Sequence, residues 1–275
     1  MLTDILTALA AVVAVSLVLG ALLALVIRFF GKEEDERVRQ IRACLPGINC
    51  GACGYKGCDD YAVALVEGKA KPNLCIPGAK DTAQAIGDIL GIESVPEPKD
   101  VVAFVHCNGV CGAAVKKAVY DGINTCRAAS MIYGGSYACN NGCLGFGDCA
   151  AVCPSKTICI NNGVAFIDTR ACIGCGVCIG TCPRKIISMI PRDIATVVHC
   201  SSKDKGADAK KACSNACIGC KKCEKACPHD AIKVVDNCAV IDYERCTGCC
   251  ECISACPTKC LKRAYSESAN VDRII

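Results

Sequence analysis

Cys217 to Pro228 reads CIGCKKCEKACP, and Cys246 to Pro257 reads CTGCCECISACP. In each run three cysteines stand two residues apart, a fourth follows after three more, and a proline closes the pattern. Three thiolates this close can hold one [4Fe–4S] cube, while the fourth crosses to the cube of the other run. The spacing therefore predicts one set of Cys217, Cys220, Cys223 and Cys256, and a second of Cys246, Cys249, Cys252 and Cys227. A lone CxxC is a weak signal, because zinc ribbons and redox pairs share it. Two complete runs in tandem are a strong one.

Upstream, the pattern recurs in altered form. Cys172, Cys175, Cys178 and Cys182 keep the standard spacing in CIGCGVCIGTCP. Before them, Cys139, Cys143, Cys149 and Cys153 form a stretched run with gaps of three, five and three residues, in which Gly142, Gly145 and Gly147 give the loop room. The crossing rule pairs Cys139, Cys143 and Cys149 with Cys182, and Cys172, Cys175 and Cys178 with Cys153. The strand-like run VVAFVHC, ending at Cys107, resembles IATVVHC, ending at Cys200. Each precedes a Lys-Lys segment expected to be helical, AAVKKAVY and ADAKKAC, so Cys126 is matched to Cys213. The chain reads as a tandem duplication, each copy a di-cluster module with its own metal core. Gly163 and the Asp236–Asn237 pair mark hairpin turns between short strands.

A different pattern lies nearer the N-terminus. Cys50, Cys53, Cys58 and Cys75 are separated by two, four and sixteen residues, with Gly51, Gly54 and Gly57 among the first three. Those glycines let the backbone wrap a cube and aim amides at its sulfurs. A helix capped by Asp59, with Tyr61, Ala62, Leu65 and Val66 inward, is expected to stop near Gly68 and deliver Cys75. Zinc is the bland alternative for this set. Further helices are expected over Glu33 to Leu45, as a solvated spacer, and near Asp81 to Leu90, ahead of a linker ending at Pro98.

Leu2 to Ile27 is apolar apart from Thr3, Asp4, Thr7 and Ser16, long enough for a spanning helix. Its leader lacks the Lys or Arg of a cleavable signal. Arg28, Lys32, Arg37, Arg39 and Arg42 all follow it, which by the positive-inside rule puts the rest of the chain in the cytoplasm. The expected localisation is the cell inner (cytoplasmic) membrane, single-pass, with the cluster domains on the cytoplasmic side. One such helix cannot form an ion path alone.

Composition agrees with metal ligation. The 275 residues include 30 Cys, no Trp and 4% aromatic residues. Few large side chains remain to build a hydrocarbon core, so metal must supply much of the cohesion. A disulfide scaffold would need an oxidising compartment and leaves the regular spacing unexplained. The formal charge of +4 falls to about −6 once five cubes are bound, at about −2 each with their thiolates. Nothing points to nucleic acid. There is no phosphate-cradling glycine loop between strand and helix, no flavin site and no nucleophile–base set.

Ten cysteines lie outside the five sets: Cys44, Cys107, Cys111, Cys126, Cys159, Cys200, Cys213, Cys238, Cys250 and Cys260. Cys44, Cys159, Cys238, Cys250 and Cys260 read as packed thiols. Whether Cys107, Cys111, Cys126, Cys200 and Cys213 ligate a further cluster stays open, so the expectation is at least five [4Fe–4S] clusters, with a sixth allowed. His106, His199 and His229 read as packing or surface residues rather than ligands.

The order of anchor, LPGINCGACGYKGC domain and cysteine runs, including CNNGCLGFGDCAAVCP, resembles the B subunit of the Rnf-type ion-translocating ferredoxin:NAD+ oxidoreductase complex. The resemblance covers essentially the whole chain. It implies an iron–sulfur electron-transfer subunit that takes electrons from reduced ferredoxin and passes them to partner subunits. Those partners, integral-membrane and flavin/NAD-binding subunits, would hold the Na+ or H+ path and the NAD site. A membrane-tethered polyferredoxin that reduces a cluster-bearing regulator is the alternative. Lys221, Lys222, Lys225, Arg184, Lys185, Lys262 and Arg263 flank the runs, where they would raise cluster potentials and dock an acidic ferredoxin, or serve only solubility.

The expected fold is α+β: a transmembrane anchor over 1–30, a charged linker helix over 31–45, a 4Fe–4S domain over 46–78 and a linker over 79–100. Two tandem bacterial-ferredoxin-like modules then cover 101–193 and 194–265, with a tail over 266–275.

Overall fold

The computed structural model describes residues 2–30 and 35–264. The tail expected over 266–275 lies outside the described residues. Helix α1 covers Leu2–Phe30, and its described large side chains, Leu9 and Leu17 among them, are exposed. Its side chains are described without a break from Leu9 to Leu25. Among the described residues no helix is long and apolar enough to cross a membrane.

The small domain is a packed helical unit. Helix α2 (Glu36–Cys44) starts at Asp35, whose carboxylate accepts the Arg37 amide at 2.9 Å. Helix α3 covers Cys58–Val66, and α4 covers Ala79–Leu90, ending at the left-handed Gly91. Val38, Ile41 and Leu45 are buried against Tyr61, Leu65 and Ile86. The solvated spacer and the linker helix expected from the sequence are thus both walls of this domain. Their thin apolar stripes, one helical turn apart, find partners in each other and in α3. The cap of α3 also differs from expectation. Asn49 Oδ1 accepts the Cys58 amide at 2.8 Å, while Asp59 pairs with Arg42 on α2.

The remaining chain is two copies of one plan. In the first, β1 (Val101–Val105) is followed by α5 (Cys126–Met131), α6 (Asp148–Ala151), β2 (Ile158–Asn161), β3 (Val164–Ile167), α7 (Val177–Thr181) and β4 (Ile187–Pro191). In the second, β5 (Thr196–Val198) precedes α8 (Gly206–Ala212), α9 (Lys222–Ala226), β6 (Ile232–Val235), β7 (Cys238–Ile241), α10 (Glu251–Ala255) and β8 (Leu261–Arg263). The outer strands of each copy pair antiparallel, β1 with β4 and β5 with β8, and the inner ones form the hairpins β2–β3 and β6–β7. Both hairpin turns have two residues at positive φ, Asn162–Gly163 and Asp236–Asn237, as a tight hairpin requires.

One expected helix is absent. Residues 113–120, AAVKKAVY, form a turn, isolated bridges at Ala114 and Lys116, and irregular chain: Val115 donates to Ala212 O at 2.9 Å, and Ala138 donates to Val115 O at 2.8 Å. The β-branched Val115 and Val119 favour this conformation less strongly than the pairing itself, which overrides the helical pattern. The two copies meet over Val102, Phe104, Ile190 and Val197. His106 ties them further, with Nδ1 2.8 Å from Val198 O and Nε2 2.7 Å from Ser188 Oγ.

Candidate functional site

The cysteines gather around cavities. One, of about 290 Å³, is lined by Cys217, Cys220, Cys223 and Cys256, with Cys260 also at its wall. Another, of about 340 Å³, is lined by Cys227, Cys246, Cys249 and Cys252, with Cys250 and His229 also among its lining residues. These are the two sets the crossing rule names. The loops reach this shape through left-handed residues, Gly219 at φ +64° and Gly248 at φ +76°, which lets successive amides turn toward sulfur. In the first copy, burial pushes the Cys178 thiol up to about 11, and the thiols of Cys172, Cys175 and Cys153 add to the rise. Those four cysteines therefore lie near one another.

Cys75 is pushed up to about 11, first by burial and then by the thiols of Cys58, Cys50 and Cys53 around it. The small-domain set is therefore also convergent. It abuts the first module: a Cβ at Gly174, between Cys172 and Cys175, would lie 2.8 Å from Ile76 Cγ2, next to Cys75.

The stretched run is assembled differently from its expected set. A cavity of about 380 Å³ is lined by Cys126, Cys143, Cys149 and Cys182, without Cys139. Cys126 opens α5, and Asp148, next to Cys149, accepts its amide at 2.8 Å and that of Arg127 at 3.0 Å. Cys139 instead lines a cavity of about 410 Å³ with Cys107, Cys200 and Cys213, and Cys143 borders both cavities. The signal was present in the spacing: Cys139 stands four residues before Cys143, as Cys213 stands before Cys217. Matching Cys126 to Cys213 set the copies out of register, because the expected Lys-Lys helix of the first copy does not form.

Thiols in these cavities fit [4Fe–4S] cubes. Backbone amides donate to sulfur, Ala165 N to Cys143 Sγ and Ala231 N to Cys227 Sγ, both at 3.4 Å. Such bonds stabilise a thiolate ligand and tune the cluster it holds. Burial pushes Cys149 up to about 12, so the positive charge of iron is what would ionise it. Among the described residues, no three His, Cys, Asp or Glu side chains gather around the position of one ion.

Comparison with known proteins agrees with this chemistry. An Fe-S cluster family matches residues 45–77, and the 4Fe-4S binding domain family matches residues 165–188, 214–233 and 239–262. The stretched run falls outside these matches. The chain is 46% identical over 230 residues to the B subunit of the proton-translocating ferredoxin:NAD(+) oxidoreductase complex of Clostridium ljungdahlii, covering 83% of this chain and 81% of the relative. It is 42% identical over 230 residues to the B subunit of the Na(+)-translocating ferredoxin:NAD(+) oxidoreductase complex of Acetobacterium woodii, covering 83% and 69%. The B subunit of the ion-translocating oxidoreductase complex of Methanosarcina acetivorans is 34% identical over 227 residues, at 82% and 86% coverage. The chain belongs to this B-subunit family. As a member it serves iron–sulfur electron transfer in an ion-translocating ferredoxin:NAD+ oxidoreductase.

Such a chain should lose its fold with its iron. The cores of the modules are small, Val198, Ile232, Ile241 and Leu261 in the second, and cysteines complete them. Anaerobic chelation is expected to abolish the β-sheet circular dichroism of both modules, and a retained spectrum would show that hydrocarbon packing suffices.

Proposed function

We propose that the chain carries single electrons from soluble ferredoxin toward flavin- and membrane-embedded partner subunits along a row of [4Fe–4S] cubes. The ligand sets would be Cys50, Cys53, Cys58 and Cys75; Cys172, Cys175, Cys178 and Cys153; Cys143, Cys149, Cys182 and Cys126; Cys217, Cys220, Cys223 and Cys256; and Cys246, Cys249, Cys252 and Cys227. The observation carrying this reading is that each of two cavities in the second module gathers the four cysteines of one crossed set, with one further cysteine, Cys260 or Cys250, at its wall. Bound cubes would supply one-electron chemistry, and the chain's own residues would hold them, shield them and set their potentials.

Helix α1 is the membrane anchor in this reading. The support is the sequence: Leu2 to Ile27 is nearly all apolar, and a spanning helix needs about 20 such residues. The basic residues that follow it would hold the modules on the cytoplasmic side. Na+ or H+ movement would belong to the partners.

Ferredoxin would dock at the exposed ligand Cys220, beside Lys221, Lys222 and Lys225, all exposed. Arg184, in contrast, is occupied: it donates to the carbonyls of Asn140 and Gly134 and so closes the loop before the stretched run. Reversing Lys221 and Lys222 to Glu should slow electron uptake from ferredoxin several-fold at low ionic strength, with the difference fading as salt is added. Unchanged low-salt rates would remove docking from this face. The whole reading is tested by assaying ferredoxin-dependent NAD+ reduction in the isolated membrane complex with and without this chain; activity that survives its removal overturns it.

A further inference from the structure

We propose a sixth [4Fe–4S] cluster between the two modules, held by Cys107 and Cys139 from the first copy and Cys200 and Cys213 from the second. The four cysteines line one cavity of about 410 Å³, which Cys143 also borders from the side of the neighbouring cube. Its construction is two-fold. Cys107 follows β1 and Cys200 follows β5, each after a Val-His pair. The sulfur of Cys107 accepts amides from Gly109 at 3.4 Å and Cys143 at 3.3 Å. The sulfur of Cys200 accepts the equivalent amides, from Ser202 at 3.4 Å and Cys217 at 3.2 Å. Cys139 and Cys213 likewise stand four residues before Cys143 and Cys217.

Each half thus offers two thiols with amides aimed at sulfur, and neither half alone can complete a four-ligand site. The halves are clamped across the cavity. Val115 donates to Ala212 O at 2.9 Å, Ser214 to Ala113 O at 3.0 Å, and Asn215 Nδ2 to Asn108 O at 2.9 Å. The non-helical course of residues 113–120 in the first copy, with Ala114 bridged to Cys213, makes this clamp possible. A cube here needs four thiolates in a cavity with sulfur-directed donors, and all are present.

The site would connect the modules electrically. Cys143 and Cys217, whose amides reach its sulfurs, are themselves ligands of the flanking cubes in the proposed electron path, on which this inference rests. An electron leaving one flanking cube oxidises it by one unit and reduces the bridging cube by one. Passing to the other flanking cube restores the bridge, with no bond made or broken and no net proton taken up.

The full-length chain, purified anaerobically, should contain about 24 iron and 24 acid-labile sulfide, four of each per cube. The double variant Cys107→Ser/Cys200→Ser should contain about 20 of each, while Cys111→Ser, at an exposed thiol, keeps the full number. A wild-type count of about 20 that the double variant leaves unchanged overturns the bridge and spares the other five cubes; near-zero iron overturns both. Should the double variant fail to accumulate, alkylation of the native wild-type chain decides. Cys107, Cys139, Cys200 and Cys213 should react only after iron is chelated, and reaction before chelation overturns the proposal.

Discussion

Replacing Cys126 with serine should remove about four iron from the anaerobic protein, and replacing Cys139 should remove about four more. The two losses should add in the double variant, because the thiols belong to different cavities. Cys126 lines the cavity of Cys143, Cys149 and Cys182, whereas Cys139 lines that of Cys107, Cys200 and Cys213. Were both ligands of one cube, the double variant would lose about four iron, no more than either single variant. The placement of Cys126 is tightly determined. Thr125 caps α5 by accepting the Ala128 amide at 3.1 Å, and both carboxylate oxygens of Asp148 hold the first turn. Asp148 is the residue before Cys149, so one side chain fixes the distance between two ligands. Cys126 and Cys149 are both buried, which leaves a serine there without water to replace the lost iron bond. Low-temperature EPR of the Cys126→Ser protein should show one [4Fe–4S] signal missing. An unchanged spectrum with full iron would return Cys139 to the stretched run.

That result bears on how far cysteine spacing alone can be read. Where a run is local, as in Cys217 to Cys227, the ligand geometry is written in the gaps, since three thiolates on one tight loop must face one centre. Where a ligand arrives from elsewhere, spacing gives no distance. Cys126 lies 17 positions before Cys143, and only the tertiary contact of α5 with Asp148 brings it in. The duplication was legible from the His-Cys pairs that end β1 and β5, and both hairpins from their turn residues. The course of residues 113–120 was not, because Lys-Lys flanked by Ala and Val reads as helix until a partner edge at Ala212 and Ser136 is available. The same holds for α2 and α4. Each carries an apolar stripe too thin to distinguish a spacer from a wall, and burial of Ile41 and Ile86 depends on a domain that only the fold supplies.

Gly174→Ala should separate the small domain from the first module and lower the stability of the holo-protein. Gly174 sits between two cluster cysteines at φ +68°, a conformation that costs an L-residue about 1–2 kcal/mol. A methyl group there would also strike the Val101 carbonyl and lie 2.8 Å from Ile76 Cγ2. Val101 opens β1 opposite Pro191, and the adjacent bond from Arg192 N to Asp100 O at 3.1 Å anchors that end of the strand pair, so moving the carbonyl disturbs it. Ile76 is the softer neighbour, but moving it drags Cys75. Overpacking of this kind brings the whole loss to about 2–4 kcal/mol, read as a lower thermal midpoint. The second consequence is electronic. Burial raises the Cys175 pKa, an amide from Val177 opposes the rise, and the nearby Cys50 thiol of the small domain adds to it. Any retreat of Ile76 lengthens this approach between two clusters, and electron hopping falls steeply with separation. Flash reduction of the second module should therefore leave the small-domain cluster oxidised for longer in Gly174→Ala than in wild type. Gly180→Ala is the matched control: its Cβ would meet nothing within 4 Å, and it lies inside α7, where alanine favours the helix. Removing the Ile76 clash with Ile76→Ala should recover part of the stability of Gly174→Ala but leave the Val101 overlap. Equal electron-transfer rates in all three variants would place the link between small domain and modules elsewhere.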